Sequence, residues 1–265
     1  MRTFWTEAEK DVLRQEYAMT SYRDIQKKLN NRTQIAINIE ASKLGLVKIR
    51  KLVSRMKGEL SVLLGDSNET YYWLGFLVAD GHFQERGLLS VTLAAKDLHH
   101  LEKLAAFLKI TNIKTRRSSA VSIGALDKYI INLVCKKLGI DHNKTKHPMS
   151  IEALQAMTDD HFYSFLIGFL DGDGCIGFQT GRADVNIRIS CYGTWMPVLQ
   201  YFGQRLNQRL GIHSPLAKLN KRGFASVQWT NNTIARFLKH EIFTLNLPAL
   251  SRKWDKVSYV SFCDF

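Results

Sequence analysis

One nine-residue segment occurs twice in this chain. Trp73-Leu-Gly-Phe-Leu-Val-Ala-Asp80-Gly81 returns as Leu166-Ile-Gly-Phe-Leu-Asp-Gly-Asp173-Gly174, with Gly75 matching Gly168 and Asp80 matching Asp173 at a single offset of 93 residues. A long-period repeat constrains a fold more than any local propensity, because whatever one copy builds the other must build too. Each copy is apolar almost all round, which marks a buried helix. Gly75 and Ala79, like Gly168 and Gly172, sit four apart, so each helix carries one stripe without side-chain bulk. The two helices are expected to pack on each other along these stripes at a pseudo-two-fold axis.

The surroundings repeat as well. After the first copy, His82–Gln84 and Leu88–Lys96 alternate with period two, followed by a helix from Asp97 to Leu108, short strands around Ile113 and Val121, and a helix from Leu126 to Leu138. After the second come strands Ile176–Gln179 and Asp184–Tyr192, a helix from Thr194 to Leu210, strands around Leu216 and Val227, and a helix from Asn232 to His240. By the end the offset has drifted to 107, which aligns Lys146 with Lys253. The pattern predicts an α+β fold of two αββαββα units, over 67–150 and 151–265.

Asp80 and Asp173 end their helices, where the dipole is already negative and a further carboxylate costs about 0.3–1 kcal/mol. Two such ends side by side require a positive partner. Carboxylates and backbone carbonyls without nitrogen or sulfur suit a hard cation, Mg²⁺ or else Mn²⁺ or Ca²⁺, that keeps waters and takes phosphate oxygens. Read singly, either Asp-Gly pair is as well explained by a turn into a hairpin; the duplication favours the metal.

From Ser67 onward the chain resembles the LAGLIDADG homing endonuclease family in its single-chain, two-motif form. The resemblance implies saddle-shaped antiparallel sheets and metal-dependent hydrolysis of double-stranded DNA by a monomer, cutting across the minor groove to leave short 3′ overhangs. It implies that Asp80 and Asp173 are the catalytic, metal-binding acids, one for each strand, assisted by the carbonyls of Ala79 and Gly172. Lys146 and Lys253 match the family's peripheral basic position. The earlier acidic position of the motif is Val78 in one copy and Asp171 in the other, which leaves a catalytic role for Asp171 unsupported.

Strand alternation supplies a recognition surface. Ser90, Thr92 and Lys96 in the first copy, and Asn186, Arg188, Ser190 and Tyr192 in the second, point away from the apolar face and can read a major groove. Gln84, Arg86, Lys114 and Arg116, with Gln179, Arg182, Lys218, Asn220, Ser226 and Gln228, extend that surface. Lys96 and Tyr192 close their strands beside the acids, where they could hold water.

Residues 1–46 read differently. Trp5-Thr6-Glu7-Ala8-Glu9 is a helix start, Ser21-Tyr22-Arg23-Asp24 a second, and Arg32-Thr33 a third, with Ile35, Ala36, Ile39 and Leu44 inward and Gly45 as the stop. The pattern from Trp5 to Leu46 resembles Myb/SANT-like helix-turn-helix modules. That likeness implies a third helix in the major groove, offering Gln34, Asn38, Ser42 and Lys43; bundles of this type also dock protein. A basic linker, 47–66, carries Lys48, Arg50, Lys51, Arg55 and Lys57.

Composition agrees. Lys and Arg number 37 against 24 Asp and Glu, a net charge of +13, and the surplus is +7 over residues 1–57 and +3 over each of 58–147 and 148–265. That charge calls for a polyanion, and no apolar stretch is long enough to span a bilayer. Cys135, Cys175, Cys191 and Cys263 form no zinc-ligand spacing. The first residues read as neither signal nor transit peptide, so a cytoplasmic location is expected. The leading expectation is a site-specific DNA endonuclease. A non-cleaving transcriptional regulator and an intron RNA-splicing maturase are the alternatives, the latter adding intron RNA as a partner.

Overall fold

A computed structural model describes residues 4–18, 20, 22–29, 32–46, 58–116, 119–178 and 184–257. The chain divides into two compact units, Met1–Arg55 and Met56–Phe265. The expected linker residues 47–57, with their basic side chains, lie outside the described residues, as do Gln179 and Arg182 and the side chain of Arg116.

The smaller unit has three helices, α1 (Glu7–Glu16), α2 (Tyr22–Lys28) and α3 (Gln34–Lys43). A capping box starts α1, with the Glu9 amide donating to Thr6 Oγ1 and the Thr6 amide to Glu9. Thr33 caps α3 with a single bond, its side chain accepting from the Ala36 amide. Leu13, Tyr17, Ile25, Leu29, Ile37 and Ala41 form the core. The inward face of α3 differs from expectation. Ile37 and Ala41 are buried, whereas Ile35 and Ile39 are 73% and 54% exposed. With apolar residues at 35, 36, 37, 39 and 41, the helix offers two apolar faces, and only contact with α1 and α2 selects one.

The larger unit contains both repeats. The first runs α4 (Asn68–Asp80), β1 (Gly81–Phe83), β2 (Leu88–Ala94), α5 (Leu98–Phe107), β3 (Lys114–Arg116), β4 (Ala120–Leu126) and α6 (Lys128–Leu138). A short α7 (Ile151–Gln155) leads to the second repeat. This runs α8 (Asp159–Asp173), β5 (Gly174–Phe178), β6 (Val185–Tyr192), α9 (Met196–Leu210), β7 (Lys218–Leu219), β8 (Phe224–Thr230) and α10 (Asn232–Thr244), and a one-turn α11 (Ser251–Trp254) follows. The two four-stranded antiparallel sheets have equivalent orders, β1-β2-β4-β3 and β5-β6-β8-β7. This is the α+β tandem repeat read from the sequence. The short helices α7 and α11 and a 3-10 turn at Leu60–Leu64 were not expected, being too brief to show a period.

Helices α4 and α8 form the centre, and a run of ten residues on each, Thr70–Ala79 and Phe162–Asp171, is buried. A methyl at Gly75 would lie 2.0 Å from Phe165 O, and one at Gly168 1.9 Å from Tyr72 O. The two approaches are images of each other, since Tyr72 and Phe165 share the 93-residue offset. Only glycine permits backbones this close. One continuous core, from Leu60 to Val257, encloses both helices and the inner faces of both sheets.

Candidate functional site

Asp80 is the last residue of α4 and Asp173 the last of α8, and a strand begins at the next residue in each case. The glycine crossing brings these two ends together: a methyl at Gly172 would meet Ala79 Cβ at 2.4 Å and Asp80 Cγ at 3.4 Å. Both carboxylates reach solvent, yet protein crowds them enough to change their acidity. Asp80 is raised to about 6, first by loss of hydration and then by the charge of Asp173. Asp173 is also raised by desolvation, against the pull of Lys144 and Lys253.

Two lysines sit beneath the acids. Lys144 Nζ donates to the carbonyls of Val78 (2.6 Å) and Ala79 (2.7 Å) at the end of α4. Lys253 Nζ, buried, lies 2.8, 2.7, 3.2 and 2.6 Å from the carbonyls of Leu170, Asp171, Gly172 and Gly174. Each ammonium satisfies orphan carbonyls at a helix C-terminus and opposes the negative end of its dipole. Lys144 therefore corrects the pairing read from sequence. Lys146 is exposed, two residues beyond the position equivalent to Lys253. The offset grows in steps at the loops: 93 at the helices, 98 where Val91 and Ile189 face Gly81 and Gly174, 104 where Ile123 and Val227 face those strands, and 109 from Lys144 to Lys253. Extending those steps across the last loop would have found it.

Asp171 takes no part in this surface. Fully buried, it accepts from Tyr72 Oη (2.6 Å), the Leu250 amide (2.8 Å) and Trp254 Nε1 (2.8 Å). Behind Tyr72, His100 Nε2 lies 3.2 Å from the same hydroxyl. Because that hydroxyl gives its proton to Asp171, His100 must donate from Nε2. Burial depresses this imidazole to about 3, so it is neutral.

The arrangement alters the case for a metal. The positive partner that the helix ends required is supplied by lysine, and the Ala79 and Gly172 carbonyls expected to bind metal face ammonium groups instead. The two carboxylates still repel each other, for after loss of hydration it is the charge of Asp173 that raises Asp80 most. An all-oxygen pair short of positive charge fits a hard divalent cation that takes its other ligands from water and phosphate. Among the described residues no three His, Cys, Asp or Glu side chains cluster as a ready-made cage.

The outer faces of the sheets carry most of the expected reading residues, but unequally. Across β2 and β4, Ser90 faces Gly124, Thr92 faces Ser122 and Ala94 faces Ala120. The equivalent rows of β6 and β8 are Arg188 with Gln228, Ser190 with Ser226 and Tyr192 with Phe224. Arg86, Lys114 and Lys218 are exposed beside them, and Gln84 and Asn186 are half-buried. Two expectations change. Lys96 lies beyond the strand in a 3-10 turn, so Ala94 rather than Lys96 is the counterpart of Tyr192. Asn220 is spent on its own turn, accepting from the Arg222 and Phe224 amides. On α3, Gln34, Ser42 and Lys43 are exposed, whereas Asn38 accepts from Tyr17 Oη (3.0 Å) and Tyr22 Oη (2.5 Å) and so braces the bundle.

No protein-family model and no curated protein sequence matches the chain. Solved structures do. A lysine-to-alanine variant of I-SmaMI, a LAGLIDADG homing endonuclease, aligns with a TM-score of 0.50 at 15% identity, covering 70% of this chain and 87% of that one. I-GzeII in complex with its DNA target gives 0.48 at 13% identity, covering 70% and 86%. I-AabMI bound to uncleaved DNA gives 0.47 at 15%, covering 71% and 87%. The chain has the fold of the single-chain LAGLIDADG homing endonucleases.

Proposed function

We propose that this protein is a site-specific double-stranded DNA endonuclease, hydrolysing one phosphodiester on each strand with a divalent cation. The observation that carries this reading is the meeting of Asp80 and Asp173 at the ends of two helices in backbone contact, in a unit whose two sheets expose polar side chains such as Thr92, Arg188 and Gln228 on their outer faces. The resemblance read from the sequence and the shared fold support it.

The residues divide the work. Asp80 and Asp173, when ionised, would hold the cation. Lys144 and Lys253 fix the helix ends that carry those acids and add positive potential where phosphorane charge develops. A bound Mg²⁺ would supply a water of lowered pKa and neutralise phosphate oxygens. The sheets would lie in the major groove on either side of the cut, so that cleavage falls across the intervening minor groove and leaves short 3′ overhangs. The smaller unit, with Gln34, Ser42 and Lys43 exposed on α3, would add contacts outside the cut site.

A randomised duplex library incubated with the protein and Mg²⁺, with cut ends sequenced, tests this directly. One enriched target cut on both strands is expected, and Asp80→Asn or Asp173→Asn should abolish double-strand cleavage while binding persists. Enrichment without cutting would make the protein a regulator instead.

A further inference from the structure

Each lysine is carried on a segment that follows one repeat and is fastened to the other. Lys253 follows the second repeat, yet its neighbour Arg252 reaches Asp97, just ahead of α5 in the first. The guanidinium meets that carboxylate through two parallel contacts, Nε to Oδ1 and Nη2 to Oδ2, the latter at 2.7 Å. Asp97 is buried, and the Arg252 bond holds its carboxyl below the ordinary carboxylate range. Asp171 fixes the same segment on both sides of Arg252, through Leu250 and Trp254.

Lys144 follows the first repeat and is fastened to the second at the equivalent place. Trp195, 98 residues after Asp97 and likewise ahead of its helix, donates from Nε1 to Lys144 O at 3.0 Å. Thr194 Oγ1 donates to Thr145 O at 3.3 Å. These bonds are single and neutral, and Val78 stands where the second motif has Asp171. A bidentate charged pair between side chains is stronger and more directional than two separate neutral bonds to backbone carbonyls, one of them long at 3.3 Å.

We propose that Asp97 and Arg252 are positioning residues for Lys253, that Trp195 is the weaker counterpart for Lys144, and that the two DNA strands are therefore cut in a fixed order, the one served by Lys253 first. The inference rests on the endonuclease reading and sharpens it. It predicts a nicked intermediate with one identifiable strand broken, because a preorganised lysine reaches productive geometry more often than a loosely held one.

The test uses the full-length protein on its selected target, each strand labelled separately, under single-turnover conditions. For the wild type, one strand should be cut several-fold faster. Asp97→Asn should slow that strand about tenfold and the other by less than twofold, with target affinity unchanged. The charge-reversed pair Asp97→Arg with Arg252→Asp should recover part of the loss. Trp195→Phe, which removes only the N–H, should slow the opposite strand. Arg252→Lys keeps the charge but loses the fork, so it should repeat the Asp97→Asn pattern without leaving a buried carboxylate unpaired. Equal slowing of both strands by both variants would reduce the latch to a structural tie and overturn the proposal, as would simultaneous cutting by the wild type. A wild type that cuts neither strand would overturn the endonuclease reading itself.

Discussion

Asp80 shows how a functional residue can oppose the fold that carries it. Its carboxyl titrates near 6 in the metal-free protein against about 4 in an unfolded chain. The folded state thus binds this proton more tightly, so the group's stabilising contribution is present below about pH 4 and lost as pH rises through 6. Asp80→Asn should raise the melting temperature of the metal-free protein by about 2–4 °C at pH 8 and change it little at pH 4. Mg²⁺ should stabilise the wild type and not the variant. Equal melting temperatures at pH 8 would mean that the lysines already neutralise the site. Burial raises Asp171 as well, but this carboxylate meets three donors in the interior where Asp80 meets another carboxylate. In Asp171→Asn an NH₂ group would replace one acceptor, at a cost of about 2–4 kcal/mol, measurable by urea denaturation. Sequence could tell these two acids apart only by the family pattern; burial and partners give the reason.

At the scale of elements, the two sheets share topology and register but differ in what they present. Row for row, Ser–Gly, Thr–Ser and Ala–Ala on the first face stand against Arg–Gln, Ser–Ser and Tyr–Phe on the second. A bidentate arginine or glutamine contact to a base edge discriminates by about 1–3 kcal/mol, and serine or glycine by far less. The half of the target facing the second sheet should therefore carry the stronger base preferences. Arg188→Ser with Gln228→Gly, which copies the first face onto the second, should flatten that half of the selected profile and leave the other intact. Equal information in both halves of the wild-type profile would contradict this. The inward/outward alternation was legible in the sequence because a strand's period is two. The comparison between rows was not, since it depends on a cross-strand register set by hairpins of different length.

The whole molecule consists of two units with separate cores, Leu13 to Ala41 in one and Leu60 to Val257 in the other. Removing residues 1–57 takes away 13 of the 37 basic side chains without touching the larger core. Cleavage should survive, while binding weakens and the slope of log K against log salt becomes shallower by about one for each phosphate that the smaller unit neutralises in the intact protein. An unchanged slope would show that the smaller unit does not meet DNA; the exposed Ile35 and Ile39 on α3 would then point to a protein surface. The sequence by itself determined the duplication, the helix-to-strand order, the acids at the helix ends and the surplus of positive charge, because composition and period are local properties of the chain. The tertiary structure alone decided that Lys144 rather than Lys146 caps the end of α4, that Asp171 is internal and Asp80 is not, and which face of α3 turns inward. Those choices depend on loop lengths and close approaches between distant segments, and they follow no period that a one-dimensional pattern records.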